Sequence, residues 1–293
     1  MSEPAVWLNL TQAELDAAYD QIKYAPNLPQ IVKRYGTNSD AWRARSVAPQ
    51  RVAYGDAAIE GLDIYTTSKP GAPINIFVHG GAWRSGAAKD YGFVAELFVK
   101  AGAHCVVPDF SWVQDVEGNL EPIAAQLRRA VAWVHAHAKD FGGDAGQIYV
   151  SGHSSGGHLA AVLLTTDWQE EFGLPADVLK GGLCCSGIYD LKPVGLSARG
   201  SYVKVTPAVE AALSPMRHIG QIAAPLVIAY GTLETPEFQR QAVDFAAAVR
   251  AAGKPVDLIT AEGYNHFEVL ETLGNPYGVL GRAALAQMGL AGV

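Results

Sequence analysis

The sequence predicts an α/β fold: a mostly parallel central sheet with helices on both faces and a small helical cap. Three observations predict it. Short apolar, β-branched runs recur from about residue 51 onward, stretches with helical spacing of apolar residues separate them, and glycine, proline or polar turn residues follow the runs. Strands that are apolar on both sides, alternating with amphipathic helices, fit a parallel sheet covered on both faces.

The elements follow in order. Thr11-Gln12-Ala13-Glu14 places a cap residue three positions before a glutamate, which starts a helix. Pro26 and Pro29 interrupt it, and Asp40-Ala41-Trp42-Arg43 opens a second, short helix. Residues 1–50 therefore read as an amino-terminal helical arm or lid with no strand of the sheet core. Strands are expected at 74–78, 104–107, 148–151, 182–186, 226–230 and 256–259, with helices near 90–101, 121–138, 155–166, 237–252 and 276–288. The second of these helices has the clearest stripe, with Ile123, Leu127, Ala130, Val131 and Val134 on one face. Between 191 and 218 this rhythm stops. Pro193, Gly195, Gly200, Pro207 and Pro215 mark a cap-like insertion with a helical stretch at 207–213. The main domain is thus expected to span 51–293.

Composition narrows the function classes. The 293 residues are 49% apolar, enough for a large core. The 22 Lys and Arg against 29 Asp and Glu give a net charge of −7, which argues against nucleic acid or an anionic membrane as partner. No apolar run is long enough to span a bilayer. The first residues lack the basic start and apolar run of a secretory leader, and the reading expects a cytoplasmic protein. Cys105, Cys184 and Cys185 lie in strand-like runs without disulfide or metal-ligand spacing, and read as buried thiols.

Chemistry concentrates in Gly152-His153-Ser154-Ser155-Gly156-Gly157, between an expected strand and an expected helix. This is the strand–turn–helix context of a nucleophile elbow. A serine in so tight a turn needs small residues two positions before and after it. Gly152 and Gly156 satisfy that need for Ser154, whereas Ser155 would have His153 at the crowded position. Upstream, His79-Gly80-Gly81-Ala82-Trp83 ends a strand with exposed backbone N–H groups. Those of Gly81 and Ala82, with that of Ser155, suit an oxyanion hole.

A base is required late in the chain, and His266 lies in a loop just after the last strand. His104, His135 and His137 fall on a strand start and a helix and read as structural. His158 either lines the site or packs, and His218 has no evident role. The acid that orients the base is expected between serine and histidine in sequence. Thr235 and Pro236 form a helix start, so Glu237 falls in its first turn and Glu234 is left in the loop. Glu234 is the favoured acid, with Glu237, Asp244 and Asp190 as alternatives. Trp83, Phe110, Trp112 and Tyr189 lie near strand ends, where they either line a substrate pocket or pack in the core.

The two motifs together resemble those of the arylformamidases (kynurenine formamidases) and their esterase relatives, in the hormone-sensitive-lipase-like branch of the α/β-hydrolases. Ala212-Leu213-Ser214-Pro215, Glu234-Thr235-Pro236-Glu237-Phe238 and His266-Phe267-Glu268 extend the resemblance over about 50–280. It implies an α/β-hydrolase fold and hydrolysis of small carboxylic esters or N-formyl aryl amides, without a metal or organic cofactor. The sequence departs from the pattern at Glu234, where relatives usually carry aspartate, and at Ala82, often aromatic or glycine, which widens the pocket beside the oxyanion hole. If the arm and the insertion cover the site, long lipid chains are disfavoured. Two other readings use the same fold: a non-catalytic ligand receptor, and a lyase or acyltransferase sharing the serine chemistry. A homodimer through an exposed carboxyl-terminal helix or an edge strand is compatible with the pattern.

Overall fold

The computed structural model describes residues 3–290. Eight strands form one sheet: β1 (Gln50–Ala53), β2 (Gly61–Tyr65), β3 (Ala72–Val78), β4 (His104–Pro108), β5 (Gly143–His153), β6 (Leu179–Cys185), β7 (Leu226–Gly231) and β8 (Val256–Ala261). Their order is β1-β2-β4-β3-β5-β6-β7-β8. Strands β3 to β8 pair in parallel, and β1 and β2 add an antiparallel edge. The helices are α1 (Gln12–Ala18), α2 (Leu28–Arg45), α3 (Gly92–Lys100), α4 (Glu121–His137), α5 (Ser155–Leu164), α6 (Trp168–Phe172), α7 (Lys192–Leu196), α8 (Pro207–Leu213), α9 (Pro236–Ala251), α10 (Glu268–Glu271) and α11 (Val279–Gln287). None is long and apolar enough to cross a membrane.

All residues of β3 and β4 are buried, as strands covered on both faces must be. Their alternating side chains are shared between two cores. Ile74, Ile76, Val78 and Val106 face the layer of α4, α5 and α9, while Phe77, Cys105 and Val107 face that of α2, α3 and α11. The predicted stripe of α4 is buried throughout. Burying each of its larger apolar side chains is worth about 1.5–3 kcal/mol.

The arm differs from expectation in one respect. The capping box at Thr11 and Glu14 forms, but α2 is a single helix of 18 residues. Pro29 stands in its first turn, where a missing N–H costs nothing, so the proline starts the helix instead of breaking it. The insertion carries α7 and α8 and is tied to the arm. Gln12 donates to the Leu196 carbonyl (2.9 Å), and Asp16 accepts from the Ala198 N–H (2.6 Å).

Candidate active site

Four strand ends, those of β3, β5, β7 and β8, build the site. At the end of β5 the backbone turns sharply, and Ser154 takes φ 57° and ψ −125°. A Cβ on Gly152 would lie 2.2 Å from the Gly156 carbonyl oxygen, and one on Gly156 would lie 2.1 Å from that of Val78. Both obstacles are backbone and cannot swing aside, so the glycines flanking Ser154 are sterically required.

His266 follows β8, and its Nε2 lies 2.8 Å from Ser154 Oγ. Its Nδ1 lies 2.6 Å from Glu234 Oε2, after β7. The three residues are buried, with 8% of Ser154 and 2% of His266 exposed. The other acid candidates are engaged elsewhere. Glu237 and Asp244 pair with Arg240, and Asp190 accepts from the Lys192 N–H.

The Glu234 carboxylate is held by four donors. Oε1 accepts from Ser186 Oγ (2.6 Å) and from the Gly231 N–H (2.7 Å), and Oε2 accepts from His266 and from Gln21 Nε2 (3.4 Å). The glutamate folds back so that its Oε1 reaches the Gly231 N–H three residues earlier. His153, next to the serine, donates from Nε2 to the His266 carbonyl (2.6 Å). Burial, and then the neighbouring His266, hold its pKa well below the ordinary histidine value, so it stays neutral.

Opposite the serine runs the loop after β3. Gly81, Ala82 and Trp83 all have positive φ, at 118°, 53° and 59°. A Cβ on Gly81 would meet the Ser85 carbonyl oxygen at 2.1 Å, and one on Gly80 would come within 3.2 Å of Ser154 Cβ. The loop is pinned by the Arg84 N–H to the Gly81 carbonyl (3.0 Å) and the Val113 N–H to that of Trp83 (2.7 Å). Among the described residues no acceptor takes the N–H of Gly81, Ala82 or Ser155. Three donors are therefore free beside the serine.

Trp112, 37% exposed, is alone among the four expected pocket aromatics in having an accessible ring. Trp83 is buried and donates to His158 Nδ1 (3.2 Å), whose Nε2 donates to the Leu213 carbonyl (2.8 Å). Phe110 stacks on His79 at 4.4 Å, and Tyr189 stacks on Phe245 at 4.4 Å. These three rings pack inward because each has a flat or hydrogen-bonding partner in the core. Phe238, itself buried, stands edge-on to His266 at 4.9 Å, with Tyr19 against it and Arg199 over both rings.

Sequence reasoning did not find Ser186, Gln21, His153 or Phe238. Ser186 lies at the end of an expected strand, which is a usable signal; Gln21 carries none. Among the described residues no group of three His, Cys, Asp or Glu is arranged to hold a metal ion.

Comparison with known proteins bears on the family and the fold. Over 97% of its length the chain is 30% identical to the kynurenine formamidase of Danio rerio, matching 98% of that protein. The chain belongs to the kynurenine formamidase-like family of α/β-hydrolases. Like others of this group it is a hydrolase, related to esterases. The kynurenine formamidase of Salmo salar is 29% identical over 91% of the chain and 93% of that protein. The esterase LipC of Mycobacterium tuberculosis is 28% identical over 78% of the chain and 62% of that protein. The BD-FAE family matches residues 62–180, which hold both glycine-rich motifs. A crystal structure from Silicibacter superposes with a TM-score of 0.80 at 24% identity, covering 91% of the chain and 97% of its own. The propionate-bound esterase Est2 of Thermogutta terrifontis gives 0.69 at 22% identity, covering 84% and 97%. At these identities the two structures speak for the fold alone.

Proposed function

We propose that the protein hydrolyses small carboxylic esters or N-formyl aryl amides through an acyl-enzyme on Ser154. His266 takes the proton of Ser154 as its oxygen attacks the carbonyl carbon, and Glu234 holds the imidazole in the tautomer that can accept it. The N–H groups of Gly81, Ala82 and Ser155 receive the oxyanion. As the intermediate collapses, His266 gives the proton to the departing alkoxide or arylamine. Water then enters, His266 removes its proton as the oxygen adds to the acyl carbon, and the ester bond to Ser154 breaks. His266 returns the proton to Ser154 Oγ, and the acyl group leaves as the carboxylic acid, or as formic acid from a formyl substrate, which ionises in water. No metal or organic cofactor takes part.

The observation that carries this reading is the unbroken line from Ser154 Oγ to His266 (2.8 Å) and on to Glu234 (2.6 Å). The closely covered serine, 8% exposed, favours a small acyl group over a long lipid chain. A second reading, N-formylkynurenine as the substrate, is favoured by the two near-full-length relatives, both kynurenine formamidases. The experiment is a paired kcat/KM measurement on phenyl acetate and N-formylkynurenine, with Ser154→Ala as the blank. A formyl amide preferred by orders of magnitude makes the protein a formamidase; a preferred ester makes it a carboxylesterase on the formamidase scaffold. Activity surviving in Ser154→Ala overturns the proposal. Product analysis with an alcohol acceptor present separates hydrolysis from acyl transfer.

A further inference from the structure

We infer that Gln21, in the amino-terminal arm, is a positioning residue for the acid of the site, so that the arm completes the machinery of the main domain. This rests on the proposed roles of Ser154, His266 and Glu234.

The arm reaches the acid loop through a small buried network. Gln21 follows α1, at the start of a short 3-10 turn, and only 4% of it is exposed. Its Nε2 donates to Glu234 Oε2 (3.4 Å) and to Thr235 Oγ1 (3.4 Å), and its Oε1 accepts the Thr235 N–H (3.2 Å). The same amide thus grips the side chain of residue 234 and the backbone of residue 235. Thr235 begins α9, where its hydroxyl would ordinarily cap the helix. It makes no such cap, and donates instead to the Ala18 carbonyl in the arm (2.7 Å). Helix capping has been given up for a link between arm and acid loop.

The consequence for the chemistry lies in Oε2, the oxygen that faces His266. Oε1 is fixed from within the main domain by Ser186 and Gly231. Among the described residues the Gln21 amide is the only group from the arm on the carboxylate, and it bears on the oxygen that receives the imidazole N–H. Without it the carboxylate can rotate about its last bond, and the imidazole loses a fixed partner. Other titratable or charged groups around the pair are His153, Cys185 and Tyr189 from the sheet side, Glu237 with Arg240 along α9, and Arg199 over Phe238.

The test uses the full-length protein with three substitutions and an ester substrate. Active serine is counted by phosphonate titration, and thermal midpoints are measured in parallel. Gln21→Met keeps the volume and removes the amide. A hydrogen bond to a charged group at this length is worth the low end of its usual range, so kcat per titrated serine should fall about tenfold, with KM changed less than about twofold. In a Glu234→Ala background the same substitution should change kcat by less than about twofold, since the carboxylate it positions is gone. Gln21→Glu sets a second carboxylate beside the first and should raise the acidic limb of the kcat/KM profile by about one pH unit or more, because extra negative charge favours imidazolium.

The inference fails if Gln21→Met keeps full kcat. It fails equally if the loss is the same with Glu234 absent, or if Gln21→Glu leaves the acidic limb unmoved. Should Gln21→Met not fold, the profile of Gln21→Glu decides. Ser154→Ala separates the two levels of the argument: an active Ser154→Ala removes the proposed function, whereas a dead Ser154→Ala with an indifferent Gln21 removes this inference alone.

Discussion

Replacing Glu234 by glutamine is the most informative single perturbation, because four donors converge on its carboxylate: Ser186 Oγ, the Gly231 N–H, His266 Nδ1 and Gln21 Nε2. A carboxylate offers only acceptors, and so satisfies all four. An amide has one acceptor oxygen and one NH2 group. If its oxygen stays with Ser186 and Gly231, its NH2 faces His266 Nδ1, which must then accept. The imidazole proton moves to Nε2, where it points at Ser154 and blocks proton removal. The negative charge beside the imidazolium is lost as well. At the 2.6 Å contact, with an effective dielectric constant of about 20, that charge is worth upwards of about 4 kcal/mol. Charge alone corresponds to roughly a thousandfold in rate, and the tautomer change brings the expected loss of kcat to about 10³–10⁴-fold. The assay is kcat on phenyl acetate per titrated serine, with Glu237→Gln as control. Glu237 pairs with Arg240, so its replacement should lower the thermal midpoint and leave kcat within about threefold. A Glu234→Gln enzyme that keeps more than about a tenth of its kcat, or a Glu237→Gln enzyme that loses most of it, would refute the assignment of the acid.

Two further expectations concern pH and the pocket. Burial holds the His158 pKa down at about 4, from 6.5, so an unfolded chain takes up a proton between those values that the folded chain refuses. Its contribution is complete above about 6.5 and is lost as pH falls toward 4. At about 1.4 kcal/mol per pH unit the loss is on the order of 3 kcal/mol, and buried His79, His104 and His153 act in the same direction. Urea midpoints at pH 7 and pH 5 measure this; equal midpoints would contradict it, and His158→Gln should flatten the dependence. Trp112→Ala should change KM for aryl esters severalfold. Tyr189→Phe should leave KM unchanged and cost about 1 kcal/mol of stability, through loss of its bond to the Cys184 carbonyl (3.2 Å). The reverse pattern in KM would place the pocket wall elsewhere.

The parallel strands were legible because each is an apolar run ending at a turn, and their buried ladders leave little room for other patterns. The antiparallel edge was not. Strand β1 is largely exposed, and β2 carries Asp63, which is tolerated because Arg51 on β1 pairs with it at 2.9 Å. A charge in the middle of a strand hides it when its partner lies in another strand. Pro29 misled for a similar reason: its meaning depends on whether it stands inside a helix or in its first turn. At the site, Ser154, His266 and Glu234 were readable because each must follow a strand end, and the fold has few such places. The pocket aromatics and the donors around Glu234 depend on which side chains meet across the arm, the insertion and the sheet. Local pattern does not encode that.

Backbone strain shows how the sheet itself sets the geometry of the site. Six described residues other than glycine have positive φ, and four of them, Ala82, Trp83, Ser154 and Ser186, sit just beyond β3, β5 and β6. Each costs about 1–3 kcal/mol and persists only where its surroundings fix it. The two serines are fixed in the same way, one strand apart. Ser154 donates its N–H to the Cys185 carbonyl on β6 (2.9 Å), and Ser186 donates its own to the Ala229 carbonyl on β7 (2.7 Å). Both bonds continue the parallel ladders in which His153 pairs with Cys185 and Cys185 with Ala229. The first turn presents its hydroxyl to His266, and the second presents its hydroxyl to Glu234. Ser154 and the serine that supports Glu234 are therefore spaced by sheet register, and the glutamate and histidine loops have only to meet between them. A core substitution that loosens the pairing of β5, β6 and β7 should on this account lower kcat before it lowers global stability, since the strained turns are the first parts of the ladder to relax.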